Sequence, residues 1–147
     1  MLVYGQQDDP VRVIEFSATR PLSCYVIAKH TSEHYVHAYR DRVPSVALRM
    51  FNTHGLGQDF DNLHQRIVRI VVAQAVRVGR LPVRGPLERF RDLVHIFNTI
   101  EEWVRAGLEN NAVGRVLTVG SGVRTSVGEF TAMISTAVGG CPIETTG

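Results

Sequence analysis

The chain has 147 residues, of which 44% are hydrophobic and 20% charged, enough for one domain with a buried core and too apolar for disorder. The net charge of +2 comes with scattered arginines rather than a basic run, which gives no footprint for nucleic acid. No apolar run reaches the ~18 residues of a membrane span. Met1 to Gly5 do not read as a signal peptide, and Cys24 and Cys141 have neither metal-ligand spacing nor a disulfide framework, so a reduced cytoplasmic protein is expected.

In chain order, Leu2-Val3-Tyr4-Gly5 resembles the end of a buried strand entering a turn, and residues 6 to 20 read as a polar loop. Pro21 suits a helix start, with helical spacing from Leu22 to about Tyr39. Pro44 to Phe51 is a short apolar strand, and Asn52 to Gly57 reads as a glycine-bearing loop of the kind that holds ligands in α/β sheets. Asp61 caps an expected helix from Asn62 to about Val78, which Gly79 ends. Leu81 to Val83 and Arg89 to Ile96 are expected strands around Gly85-Pro86. Asn98 or Thr99 starts the next expected helix, Thr99-x-x-Glu102 having the form of a capping box, and it runs to about Leu108 with Trp103 against the sheet. Val116 to Val119 reads as a buried strand before Gly120-Ser121-Gly122. Ser126-x-x-Glu129 is a second capping box, opening a helix to about Val138, and the tail from Gly139 shows no element.

One pair stands out for chemistry. A four-residue step in a helix puts the Tyr25 phenol and the Lys29 ammonium on one face, and Lys29 is the only lysine among 16 basic side chains. A phenol titrates near ~10; an adjacent ammonium favours its ionised form, as general acid/base work on an alcohol requires. The same spacing also suits an ordinary exposed helix face. His30 and His34 share the i, i+4 spacing of a metal pair, but without a further ligand nearby no metal is expected.

Several blocks together carry a resemblance: Val3-Tyr4-Gly5, Tyr25-x-x-x-Lys29 with Glu33, Leu48-Arg49-x-Phe51-Asn52, Gly55-x-Gly57-Gln58, Arg89-x-Arg91-Asp92 with His95, and Val119-Gly120-Ser121-Gly122 with Ser126-x-x-Glu129. In their order and spacing the chain resembles the extended short-chain dehydrogenase/reductase superfamily, the NAD-dependent nucleotide-sugar epimerases and dehydratases, and within it UDP-glucose 4-epimerase-like proteins. The fold so implied is α/β: the second half of a Rossmann-type parallel sheet with its helices, and part of the substrate-binding lobe interleaved, so that residues 1–147 form a single partial domain. The implied reaction is epimerisation at C4 of a nucleotide sugar through hydride removal, rotation of a keto intermediate and hydride return, with NAD regenerated.

The resemblance implies roles residue by residue. Tyr25 is the base and Lys29 its partner, contacting the nicotinamide ribose of NAD, with the Phe51 backbone near the nicotinamide amide. Asn52 contacts the nucleotide sugar, Asn62 and Leu63 meet its diphosphate at a helix start, and Arg91 clamps that diphosphate. From the residues alone Asn52 reads rather as a turn residue, and Arg91 equally as a surface arginine at a strand edge. No G-x-x-G-x-x-G occurs among the 147 residues. The family's catalytic serine or threonine has no counterpart either, so a fragment inactive alone is expected, completed by an N-terminal half or associating as a homodimer.

Val26, His54, Leu56, Phe97 and Asn98 depart from the family's usual residues. Dehydratase or decarboxylase chemistry of the same family, and a non-catalytic assembly module, are the alternatives.

Overall fold

The computed structural model describes residues 3–5, 13–58 and 67–146. Its elements in chain order are α1 (Cys24–Ala38), β1 (Ala47–Met50), β2 (Asn52–His54), α2 (Ile67–Val78), β3 (Leu81–Arg84), β4 (Phe90–Arg91), β5 (Leu93–His95), α3 (Ile96–Leu108), β6 (Val116–Val119), β7 (Thr125–Ser126), α4 (Val127–Ala137) and β8 (Ile143–Thr146). Three strand pairs are parallel, β1 with β6, β2 with β5 and β3 with β8, and β4 with β7 is antiparallel. Each parallel pair is separated in sequence by helix-bearing crossovers, as an α/β chain requires. No described helix is long and apolar enough to cross a membrane.

The chain divides into two compact units, Met1–Phe51 with Phe97–Val119, and Asn52–Ile96 with Gly120–Gly147. In the first, Val3, Tyr4 and Val26 form a small buried cluster with Val13 against it. Helix α1 starts two residues later than Leu22, because Ser23 takes an extended conformation and its hydroxyl accepts the Val26 N–H at 3.4 Å. In the second, Val71, Ala75, Leu81, Val83, Val127 and Phe130 make the core, with Leu87, Leu93 and Ile134 beside it. Gly79 ends α2 at φ +71°, a conformation that only glycine adopts without strain.

Three local expectations are corrected. Asn52–His54 is not loop but strand, paired in register with Leu93–His95. The Phe51 N–H goes to the Val119 carbonyl and the Asn52 N–H to the Asp92 carbonyl, so the chain changes strand partner between these two residues. The tail is also a strand, Ile143–Thr146 lying beside Leu81–Arg84. Thr99 is not an N-cap: α3 already begins at Ile96, and Thr99 is buried within it. Trp103 is about half exposed, its indole N–H directed at Met50 Sδ at 3.2 Å. The second capping box forms as expected, Ser126 Oγ accepting from the Glu129 N–H at 3.0 Å and Glu129 from the Ser126 N–H at 2.7 Å. The expected start of α2, with Asp61, Asn62 and Leu63, lies outside the described residues.

Candidate functional site

In the first unit, α1 carries Tyr25 and Lys29 one turn apart. The Tyr25 side chain is 59% exposed, and Lys29 Nζ lies 5.7 Å from the centre of its ring, within range of cation–π attraction. An accessible phenol with a cation held beside it can exchange a proton with a bound alcohol while charge develops on oxygen.

What holds that face in place begins one turn further on. Glu33 receives two hydrogen bonds from the Arg49 guanidinium of β1, 2.8 Å from Nε and 2.6 Å from Nη2. Nη1 of Arg49 also donates to the Tyr4 hydroxyl at 2.8 Å and the Glu15 carbonyl at 3.1 Å. Glu15 in turn accepts from the Thr118 N–H of β6 at 2.6 Å. Burial works to raise the Glu33 pKa, but the Arg49 hydrogen bond and charge, helped by His30 and His34, outweigh it and hold the carboxyl below its ordinary value. Arg49 is correspondingly held in its charged form by Glu33. Sequence reading named Glu33 and Arg49 only as parts of motifs. The available signal was an arginine inside an apolar strand, Leu48-Arg49-Met50, which cannot be buried without a partner. Phe51 follows this strand, half-buried.

In the second unit, Asn52 donates both its backbone N–H (3.2 Å) and its Nδ2 (3.1 Å) to the Asp92 carbonyl. Arg91 is half-buried, and burial, followed by the charge of Arg89, depresses its pKa. Its Nη1 donates to the Phe90 carbonyl at 2.7 Å, and among the described residues no carboxylate forms an ion pair with it. A guanidinium in that position is suited to an anion supplied from outside. His54 and His95 face each other across the β2–β5 pair with ring centres 5.6 Å apart; burial, then the charge of His95, lowers the His54 pKa.

Thus Tyr25, Lys29 and Phe51 belong to the first unit, and Asn52 and Arg91 to the second; Asn62 and Leu63 lie outside the described residues. The i, i+4 pair His30 and His34 stack edge to face at 4.5 Å, and among the described residues no three His, Cys, Asp or Glu side chains gather as metal ligands would.

The turn Gly120-Ser121-Gly122 is a glycine-bearing stretch placed directly after strand β6, where a phosphate cradle could form. Its N–H groups at Ser121 and Gly122 are instead taken by the Asp92 carboxylate, at 2.8 and 3.0 Å. At this turn, therefore, these two N–H groups offer no pyrophosphate cradle.

An uncharacterized UDP-glucose epimerase of Bacillus subtilis, YtcB, is 26% identical over 134 residues, 90% of this chain and 40% of the relative. The UDP-glucose 4-epimerase of Thermotoga maritima, solved with UDP-glucose, superposes with a TM-score of 0.82 at 21% identity, over 99% of this chain and 48% of that one. The dTDP-glucose 4,6-dehydratase of Bacillus anthracis, solved in complex with NAD, gives 0.81 at 24% identity, over 99% and 47%. These superpositions establish the Rossmann-like α/β fold, and the chain spans less than half the length of the relatives it matches. The NAD dependent epimerase/dehydratase family is matched over residues 2–120, most of the chain, and to that family this protein belongs.

Proposed function

We propose that this chain supplies the proton-transfer and nucleotide-sugar-binding residues of an NAD-dependent epimerase of the UDP-glucose 4-epimerase kind. The observation that carries the reading is the exposed Tyr25 phenol with Lys29 one turn away, within the stretch that matches the family. Tyr25 takes the proton from a sugar hydroxyl and returns it. Lys29 provides positive charge beside the oxygen that carries the developing negative charge, and binds the nicotinamide ribose. NAD, when bound, supplies the acceptor and donor of hydride. Asn52 orients the sugar, while Arg91, with Asn62 and Leu63, holds the diphosphate.

Residues 1–147 are read as one partial domain, the second half of the NAD-binding fold with part of the substrate lobe interleaved. A second copy or a glycine-rich partner would cover the apolar side chains left exposed on α1 and α3, among them Tyr35, Val36, Ile100 and Val104. The dehydratase likeness supports a second reading, loss of water from the same class of sugar. Analysis of the product formed from UDP-glucose separates the two.

The test of the substrate assignment is Arg91→Ala. Calorimetric titration with UDP-glucose should show affinity reduced roughly 10- to 100-fold, the range of a hydrogen bond to a charged group worth ~1.5–3 kcal/mol. Unchanged affinity would make Arg91 a surface arginine. The 147-residue chain by itself should bind NAD weakly or not at all, because the N–H groups at Ser121 and Gly122 are already bonded to Asp92. Low-micromolar binding by calorimetry would require another phosphate cradle.

A further inference from the structure

We propose that Asp92 is a positioning residue for the nucleotide-sugar site, tying the amide of Asn52 to the Ser121–Gly122 turn; this rests on the assignment of Asn52 to that site. Asp92 works with both ends. Its backbone carbonyl accepts from Asn52 twice, at 3.2 Å from the backbone N–H and 3.1 Å from Nδ2. Its carboxylate accepts three more hydrogen bonds: Oδ1 from the Ser121 N–H and hydroxyl, both at 2.8 Å, and Oδ2 from the Gly122 N–H at 3.0 Å.

The turn is itself closed by the Val123 N–H donating to Ser121 Oγ at 3.1 Å, so the carboxylate grips a preformed loop rather than a loose one. Sequence separations of 29 and 30 residues for the carboxylate contacts and 40 for the Asn52 contact mean that residue 92 joins three distant stretches.

The consequence for Asn52 is specific. One amide proton is committed to the Asp92 carbonyl, which settles which end of the amide is the acceptor. A mobile residue 92 would let that amide rotate and present a donor where an acceptor belongs. Arg91 is the neighbouring residue on the chain, so the same anchor also sets the direction from which its guanidinium leaves the backbone. A carboxylate is needed for this, because three donors converge on two oxygens. An amide in its place keeps one oxygen and turns an NH2 toward an N–H donor.

The experiment compares the full chain with Asp92→Asn, Ser121→Ala, Ser121→Thr and Asn52→Ala. Affinity for UDP-glucose is read by calorimetry, the Asn52 side-chain amide by two-dimensional NMR, and folding by circular dichroism. Asp92→Asn should weaken UDP-glucose binding roughly tenfold and move the Asn52 amide pair toward the position of unbonded amides. Ser121→Ala, at an exposed position, should weaken binding by a smaller factor with an unchanged melting curve, and Ser121→Thr, which keeps the hydroxyl, should restore it.

Should Asp92→Asn fail to fold, the two Ser121 variants decide alone. If Asn52→Ala weakens binding while Asp92→Asn and Ser121→Ala leave both affinity and the Asn52 amide at wild-type values, the positioning role is wrong and the site assignment stands. If the wild-type chain does not bind UDP-glucose, or Asn52→Ala does not weaken binding, the assignment of the site fails and the role of Asp92 falls with it.

Discussion

Tyr25→Phe should lower turnover by ~10²–10⁴-fold, the contribution of a positioned acid/base, with little change in affinity for the nucleotide sugar. The measurement is made on an assembly in which the glycine-rich half of a relative is supplied in trans or by fusion. In the proposed role the phenol oxygen works in proton transfer, so its removal acts on the transition state. The ring that carries it sits in a 59% exposed position with the Lys29 cation over it, and phenylalanine keeps that contact. A loss confined to kcat is therefore the expected pattern, whereas a rise in KM at constant kcat would indicate uniform binding instead. Retention of most of the turnover would reduce Tyr25 and Lys29 to two residues on a solvated helix face.

The second large effect is on stability. Arg49→Ala should destabilise the chain by about 3–5 kcal/mol, the cost of removing one partner from a buried ion pair, read as a shift in the urea midpoint at constant slope. Both side chains are largely withdrawn from water, at 8% and 13% exposure, and the substitution removes the guanidinium charge beside Glu33 and the Arg49 hydrogen bonds to the Tyr4 hydroxyl and the Glu15 carbonyl. Replacing both partners with apolar residues, as in Arg49→Met with Glu33→Leu, should recover much of the loss, because no unpaired charge is then buried.

The same pair sets an acid limit. The folded-state pKa of Glu33 is lowered from 4.5, so the native state holds fewer protons there than the unfolded chain. Its contribution is complete above the unfolded value, and declines as pH falls from about 4.5 through the lowered folded value. Denaturation midpoints measured across that window should fall faster in the wild type than in the double apolar variant. Equal slopes would mean that the ion pair has no part in acid sensitivity.

The features legible in the sequence are those decided within one helical turn. Ser126 and Glu129 are three residues apart and cap α4 reciprocally; Gly79 ends α2 through its own backbone freedom; Tyr25 and Lys29 share a face because the helix repeats every ~3.6 residues. The parallel α/β class was legible through the family resemblance of the motif blocks, and the helix-bearing crossovers between paired strands accord with it, since parallel strands need long crossovers.

Tertiary structure decided the rest. Strands of three or four residues have little preference of their own, so Asn52–His54 became a strand by meeting Leu93–His95, and Ile143–Thr146 by meeting Leu81–Arg84. Thr99 had the spacing of a cap, but the helix begins three residues earlier and buries it. The partner of Arg49 lies 16 residues away and the Asp92 carboxylate reaches 29 and 30 residues ahead. A buried charge demands a partner, but only the folded chain selects which distant residue meets that demand.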